Sequence, residues 1–134
     1  MTLASNIQKE LRRSVDVIAK GTDSLVACVK QGKLPDTYTN DLQQIKKAIE
    51  TLRAFVERTT SPPPNEESAA AESFASALRH DMRTPINAIR GYSEIIAEET
   101  RNVAEPQGFL TSIIDATDDI LANITKITST AWKE

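Results

Sequence analysis

The sequence predicts an all-α protein, two antiparallel helical hairpins forming a four-helix bundle-like arrangement. Three observations carry that prediction. Glycine is scarce, with 4 residues, and aromatics make up only 4% of the chain. That balance suits helices packed through aliphatic seams better than a sheet with many tight turns. Apolar residues recur at alternating three- and four-residue steps in four separate stretches. Between the second and third stretches stand Pro62, Pro63 and Pro64, a run that no helix interior accommodates.

The first stripe is Leu3, Ile7, Leu11, Val15, Ile18, Leu25 and Val29, interrupted near Gly21 and Thr22. Gly32 suits a C-terminal stop, with Pro35 past it. The second stripe, Tyr38, Leu42, Ile45, Ile49, Leu52 and Val56, is a heptad seam. The short connection between these two helices implies an antiparallel hairpin. Residues 59–71 read as a semi-rigid spacer, with Ser68 suited to cap the third helix. The third stripe is Leu78, Met82, Pro85, Ile89, Tyr92 and Ile96; the fourth is Leu110, Ile113, Thr117, Ile120, Ile124, Ile127 and Ala131. Residues 100–108 between them read as a loop, with Pro106 in the first turn of the last helix. The expected division is an N-terminal hairpin at 1–60, a proline-rich linker at 61–70 and a C-terminal hairpin at 71–134. The letters themselves show no convincing internal repeat.

Composition narrows the function classes. The net charge is −3, with acids and bases interspersed. Neither a nucleic-acid footprint nor a polybasic membrane patch is present. No apolar run approaches the roughly 20 residues that cross a bilayer, and the first residues lack a signal-peptide core. A cytoplasmic protein without a membrane segment is expected. Cys28 is the one cysteine and His80 the one histidine, so neither an internal disulfide nor a zinc site is expected.

His80 therefore draws attention. With Leu78, Met82 and Pro85 at inward positions, His80 falls at an f position facing solvent. Asp81 is adjacent, Thr84 is one turn later on nearly the same face, and Arg79 and Arg83 add positive charge. An exposed imidazole beside a carboxylate can be held as a neutral nucleophile, the acid bonding one ring nitrogen while the other attacks. The arginines would attract an arriving phosphate. Pro85 costs about 3 kcal/mol inside a helix, yet the stripe passes it without a phase change. A kinked but continuous helix is expected there. Gly91, costing about 1 kcal/mol against alanine, is a second weak point.

The stretch His80-Asp81-Met82-Arg83-Thr84-Pro85-Ile86, continuing through Ile89, Gly91, Tyr92 and Glu94, closely resembles the H-box of sensor histidine kinases. Ile86 stands where leucine is usual. The resemblance covers residues 70 to 134 as a dimerisation and histidine-phosphotransfer (DHp) hairpin. It implies that His80 accepts a phosphoryl group through Nε2 and that Asp81 orients and activates the imidazole from the Nδ1 side. Thr84 would place a water for dephosphorylating a partner receiver domain, and Pro85 would permit helix bending. Two such hairpins normally pair into a four-helix dimer, so a homodimer is expected. The internal competitor is the N-terminal hairpin folding back over the same seam.

The family's ATP-binding domain would be expected after this hairpin, and only two residues follow Trp132. The chain is thus expected to bind no cofactor itself and to meet ATP and magnesium only through a missing or partner domain, in cis or in trans. The further partner implied is a response-regulator receiver. Residues 1 to 60 match no family motif and read either as a packing or oligomerising extension or as a sensory element. Three functions remain open: a phosphoacceptor module, a non-catalytic dimerisation and regulatory module acting on an output domain, and a stand-alone phosphotransfer shuttle.

Overall fold

A computed structural model describes residues 2–61 and 68–133. Four helices carry them: α1 at Leu3–Lys30, α2 at Thr39–Arg58, α3 at Ser68–Glu99 and α4 at Ala104–Ile124. No strand occurs among the described residues. The chain is all-α, as its composition and periodicity predict.

Thr2 opens α1, its hydroxyl accepting from the Ser5 N–H at 3.1 Å. The helix continues without a break past Gly21 and Thr22. Both face inward, and the Thr22 hydroxyl donates to the Ile18 carbonyl at 2.8 Å. The interruption in the stripe is thus a change of side chain, not of backbone. After Lys30 the chain turns at Gly32, whose φ of 75° is left-handed, and Lys33 N–H donates to the Cys28 carbonyl at 2.8 Å. α2 buries the five residues of its seam from Leu42 to Val56. Its neighbour Tyr38 is half-buried and donates to Glu99 at 3.1 Å.

α3 begins at Ser68, inside the stretch assigned to the linker. Pro62, Pro63, Pro64 and the capping side chain of Ser68 lie outside the described residues. The helix passes continuously through Pro85. One inward position differs from the predicted stripe: Tyr92 is half-buried and Ser93 is fully buried in its place. A helix of 3.6 residues per turn drifts about 20° per heptad from a strict 3.5 repeat, and over the length of α3 that drift exchanges one neighbour for the next.

Pro106 sits in the first turn of α4, as expected. The helix then ends at Ile124, although Ile127 and Ala131 are buried as the stripe requires. Thr125 turns its hydroxyl onto the Ala122 carbonyl at 2.7 Å, a local bond that competes with continued helix. Residues 125–133 instead cross the end of the bundle in turns. There Ala4 N–H donates to the Ala131 carbonyl at 2.7 Å, and Trp132 Nε1 donates to the Thr59 carbonyl at 2.9 Å. The indole meets the Phe74 ring edge-on, with centroids 5.4 Å apart.

Around the bundle α1 packs along α4 and α2 along α3, besides the contacts inside each hairpin. A single apolar core runs through all four helices. The α3–α4 seam, which a second copy was expected to cover, is therefore covered from within by the N-terminal hairpin. That is the internal alternative the sequence left open. A Cβ at Gly21 would lie 2.8 Å from Ile113 Cγ1, so the missing side chain is what lets α1 approach α4. No described helix is long and apolar enough to cross a membrane.

Candidate functional site

Leu78 and Met82, both buried, anchor α3 in the core and thereby aim the residue between them outward. That residue is His80, whose side chain is 83% exposed. Its Nδ1 lies 3.5 Å from Oδ1 of Asp81, the outer limit of a hydrogen bond. Nδ1 is thus the ring nitrogen that faces the acid. Thr84 is exposed one turn on. The face thus presents imidazole, carboxylate and hydroxyl within one turn and a half of helix.

Pro85 is buried beneath this face. It has no N–H, so the carbonyl of Asp81, four residues earlier, receives no intrahelical bond from it. The ladder is interrupted beside the histidine while the helix remains whole. Gly91 is exposed, and a Cβ there would meet nothing within 4 Å.

The two arginines expected to draw phosphate are placed differently. Arg79 has only 19% of its side chain exposed. Its guanidinium pairs with Glu72 at 3.0 Å and donates to the Ile127 carbonyl. Glu72 also accepts from the Ser129 N–H at 3.1 Å, and the Arg79 bond first, with the Ser129 bond second, holds its carboxyl below the usual range. Arg79 therefore fastens residues 125–133 to α3 instead of standing free. Arg83 is exposed and forms no ion pair among the described residues, which leaves it as the available cation on this part of α3.

The sequence-predicted site ends at Thr84, but the outer stripe does not. Asn87, Gly91 and Ile95 continue it down α3, and Ile95 is 52% exposed, a large apolar side chain left in water. Steps of three and four residues from His80 and Thr84 reach it. Spacing alone does not single it out, because an exposed isoleucine is unremarkable when taken singly. Among the described residues no three His, Cys, Asp or Glu side chains converge to hold a metal ion.

Comparisons with known proteins bear on this helix. Residues 70–134 match the family described as His Kinase A (phospho-acceptor) domain. The chain is similar to Sensor protein CreC of Escherichia coli (strain K12), 30% identical over 88 residues, or 66% of this chain and 16% of that protein. It is also similar to Sensor histidine kinase HprS of the same organism, 38% identical over 55 residues, or 41% of this chain and 11% of that protein. The chain thus spans at most 16% of the length of either relative. No solved structure matches.

Proposed function

Because residues 70–134 belong to the His Kinase A (phospho-acceptor) family, a module of two-component signalling, we propose that His80 is its phosphoacceptor and passes the group to a receiver aspartate. The observation that carries this reading is the near-complete exposure of His80 with Asp81 at its Nδ1. With the Nδ1 proton directed at the Asp81 carboxylate, the Nε2 lone pair is free to attack the terminal phosphorus of ATP. An N–P bond forms, the bond to the bridging oxygen breaks and ADP leaves. Asp81 stabilises the positive charge that develops on the ring. A receiver carboxylate then takes the phosphoryl group and returns the imidazole. Thr84, one turn on, is the residue suited to place a water for the reverse, dephosphorylating role.

This chemistry calls for two partners, an ATP-binding catalytic domain in cis or in trans and a receiver domain. A homodimer through the α3–α4 seam would require the N-terminal hairpin to leave it. A second reading, a non-catalytic regulatory module, is favoured by that covered seam, because the bundle is already complete without a second chain. Labelling decides between them. A competent ATP-binding domain in trans, or a phosphorylated receiver, should label the protein with an acid-labile, base-stable phosphate. Failure of every cognate partner to label it favours the regulatory module.

A further inference from the structure

Burial reveals a correspondence that the letters hide. Stepping along α1 and α3 at one constant offset, the inward residues pair as Ala4 with Ala71, Gln8 with Ala75, Leu11 with Leu78, Val15 with Met82, Ile18 with Pro85 and Thr22 with Ile89. After a single one-residue step, Leu25 pairs with Ser93 and Cys28 with Ile96. The new offset then holds across the turn and along the whole second helix. Leu42 pairs with Leu110, Ile45 with Ile113, Ile49 with Thr117, Leu52 with Ile120, Val56 with Ile124 and Thr59 with Ile127. Every one of these residues is buried. Equal helix periods alone would align two helices in some register. They would not by themselves bring the second helices to within one residue of the offset of the first, because turn length is free to vary.

The packing obeys the same relation. Exchanging the two hairpins carries the α1–α4 contact onto the α3–α2 contact, as a two-fold axis between them requires. On the surface Arg12 stands where Arg79 does, but their ion pairs differ: Arg12 reaches Glu57 on α2, whereas Arg79 pairs with Glu72 on its own helix. At the positions of His80, Asp81 and Thr84, however, α1 has Arg13, Ser14 and Val17. Arginine at ordinary pH has no free nitrogen lone pair to attack phosphorus, and valine places no water.

We infer that the N-terminal hairpin is a second, chemically silent copy of the C-terminal hairpin, folded against it in the place a second chain would occupy. The protein is thereby a monomer with a single acceptor face, a dimer-like bundle closed within one chain. The word acceptor rests on the function proposed above; the duplication and the closure do not. Closure within the chain also explains Gly21. A second copy related by exact symmetry would need no special residue on one helix alone, whereas here α1 gives up its Cβ at the α4 contact, and the equivalent position on α3 is Ala88.

Two measurements on the full chain test this. Sedimentation equilibrium at tens to hundreds of micromolar should return the monomer mass of 14.7 kDa. A carbodiimide should join Lys33 to Glu105, whose charged groups lie 2.7 Å apart between the two hairpins. In an equimolar mixture of 15N-labelled and unlabelled protein, that cross-linked peptide pair should be wholly labelled or wholly unlabelled. A stable dimer, a mixed-isotope pair, or a monomer lacking the Lys33–Glu105 link overturns the inference. Neither readout involves phosphate, so a failure to label His80 would leave the closed bundle standing, and a dimer that labels at His80 would leave the acceptor standing.

Discussion

Helices α1 and α3 place Leu11 and Leu78, then Val15 and Met82, at matching depth in one core, yet only α3 carries an imidazole, a carboxylate and a hydroxyl on its outer face. Nine of the fourteen inward pairs are apolar in both hairpins, five set a polar residue against an apolar one, and the outer faces differ more sharply. Burial constrains a residue by size and polarity whichever hairpin it sits in, because the core is shared. An exposed residue is constrained only by what it must do. Folding and chemistry are thus written on opposite sides of the same helices, and substitutions should separate them.

The largest separation is expected on the outer faces. His80→Gln should abolish phosphorylation, and Arg13→Gln, the equivalent change on α1, should leave it intact, with both variants melting like the parent. Residual label in His80→Gln would place the acceptor elsewhere. On the same face, Asp81→Asn should slow acceptance by up to about 10²-fold, the lower range for a positioned proton-handling group. Thr84→Ala should spare acceptance and impair receiver dephosphorylation. Equal losses from both changes would mean that the two residues do not divide the work.

On the inner faces the hairpins should behave alike. Leu52→Ala and Ile120→Ala remove corresponding, fully buried side chains, and each should cost about 2–5 kcal/mol. Calorimetry should show one transition in each variant, because the core is continuous across both hairpins. A variant in which one hairpin melts ahead of the other would break the comparison.

The two helical glycines should then move stability in opposite directions. Gly91 is surrounded by open space, so Gly91→Ala should stabilise by about 1 kcal/mol through helix propensity alone. Gly21→Ala gains the same propensity but forces Ile113 aside, and overpacking of that kind costs about 1–3 kcal/mol. Chemical denaturation of the pair checks the sign. A stabilised Gly21→Ala would mean that α1 and α4 can separate freely.

The smallest effect is electrostatic, with one instance in each hairpin. Hydrogen bonds from Arg12 to Glu57 and from Arg79 to Glu72 hold both carboxyls below the ordinary glutamate value of 4.5. A carboxyl lowered in the folded state contributes stability that is full above its unfolded value and is lost as pH falls through the folded one. The denaturation midpoint should therefore begin to fall near pH 4.5 and keep falling below it, and Glu57→Gln or Glu72→Gln should flatten that fall. Of the two, Glu72→Gln should do so more visibly, because Glu72 also receives the Ser129 N–H. An unchanged acid limb in both variants would show the pairs to be solvated and idle.

Much of the fold is readable in the letters. The five seam residues of α2, the continuity of α3 through Pro85 and the outward aim of His80 all come from spacing, because each depends on residues a few positions away. Differences gather where a one-residue shift changes the partner. Leu3 belongs to the predicted stripe and is 43% exposed while Ala4 is buried, and Ser93 replaces Tyr92. A stripe on one helix has no means of stating its own rotation to that precision; the facing helix decides it.

By itself the sequence determined four amphipathic helices, their pairing into hairpins, and the placing of imidazole, carboxylate and hydroxyl on one exposed face, since helix period and side-chain chemistry are local properties. Only the tertiary structure decided that Arg79 is tied to Glu72 and Ile127, that the chain leaves helix at Ile124 to cap the bundle, and that the N-terminal hairpin covers the α3–α4 seam. Each of these is a contact between residues far apart in the chain, and an apolar seam records only that it must be covered, not by what.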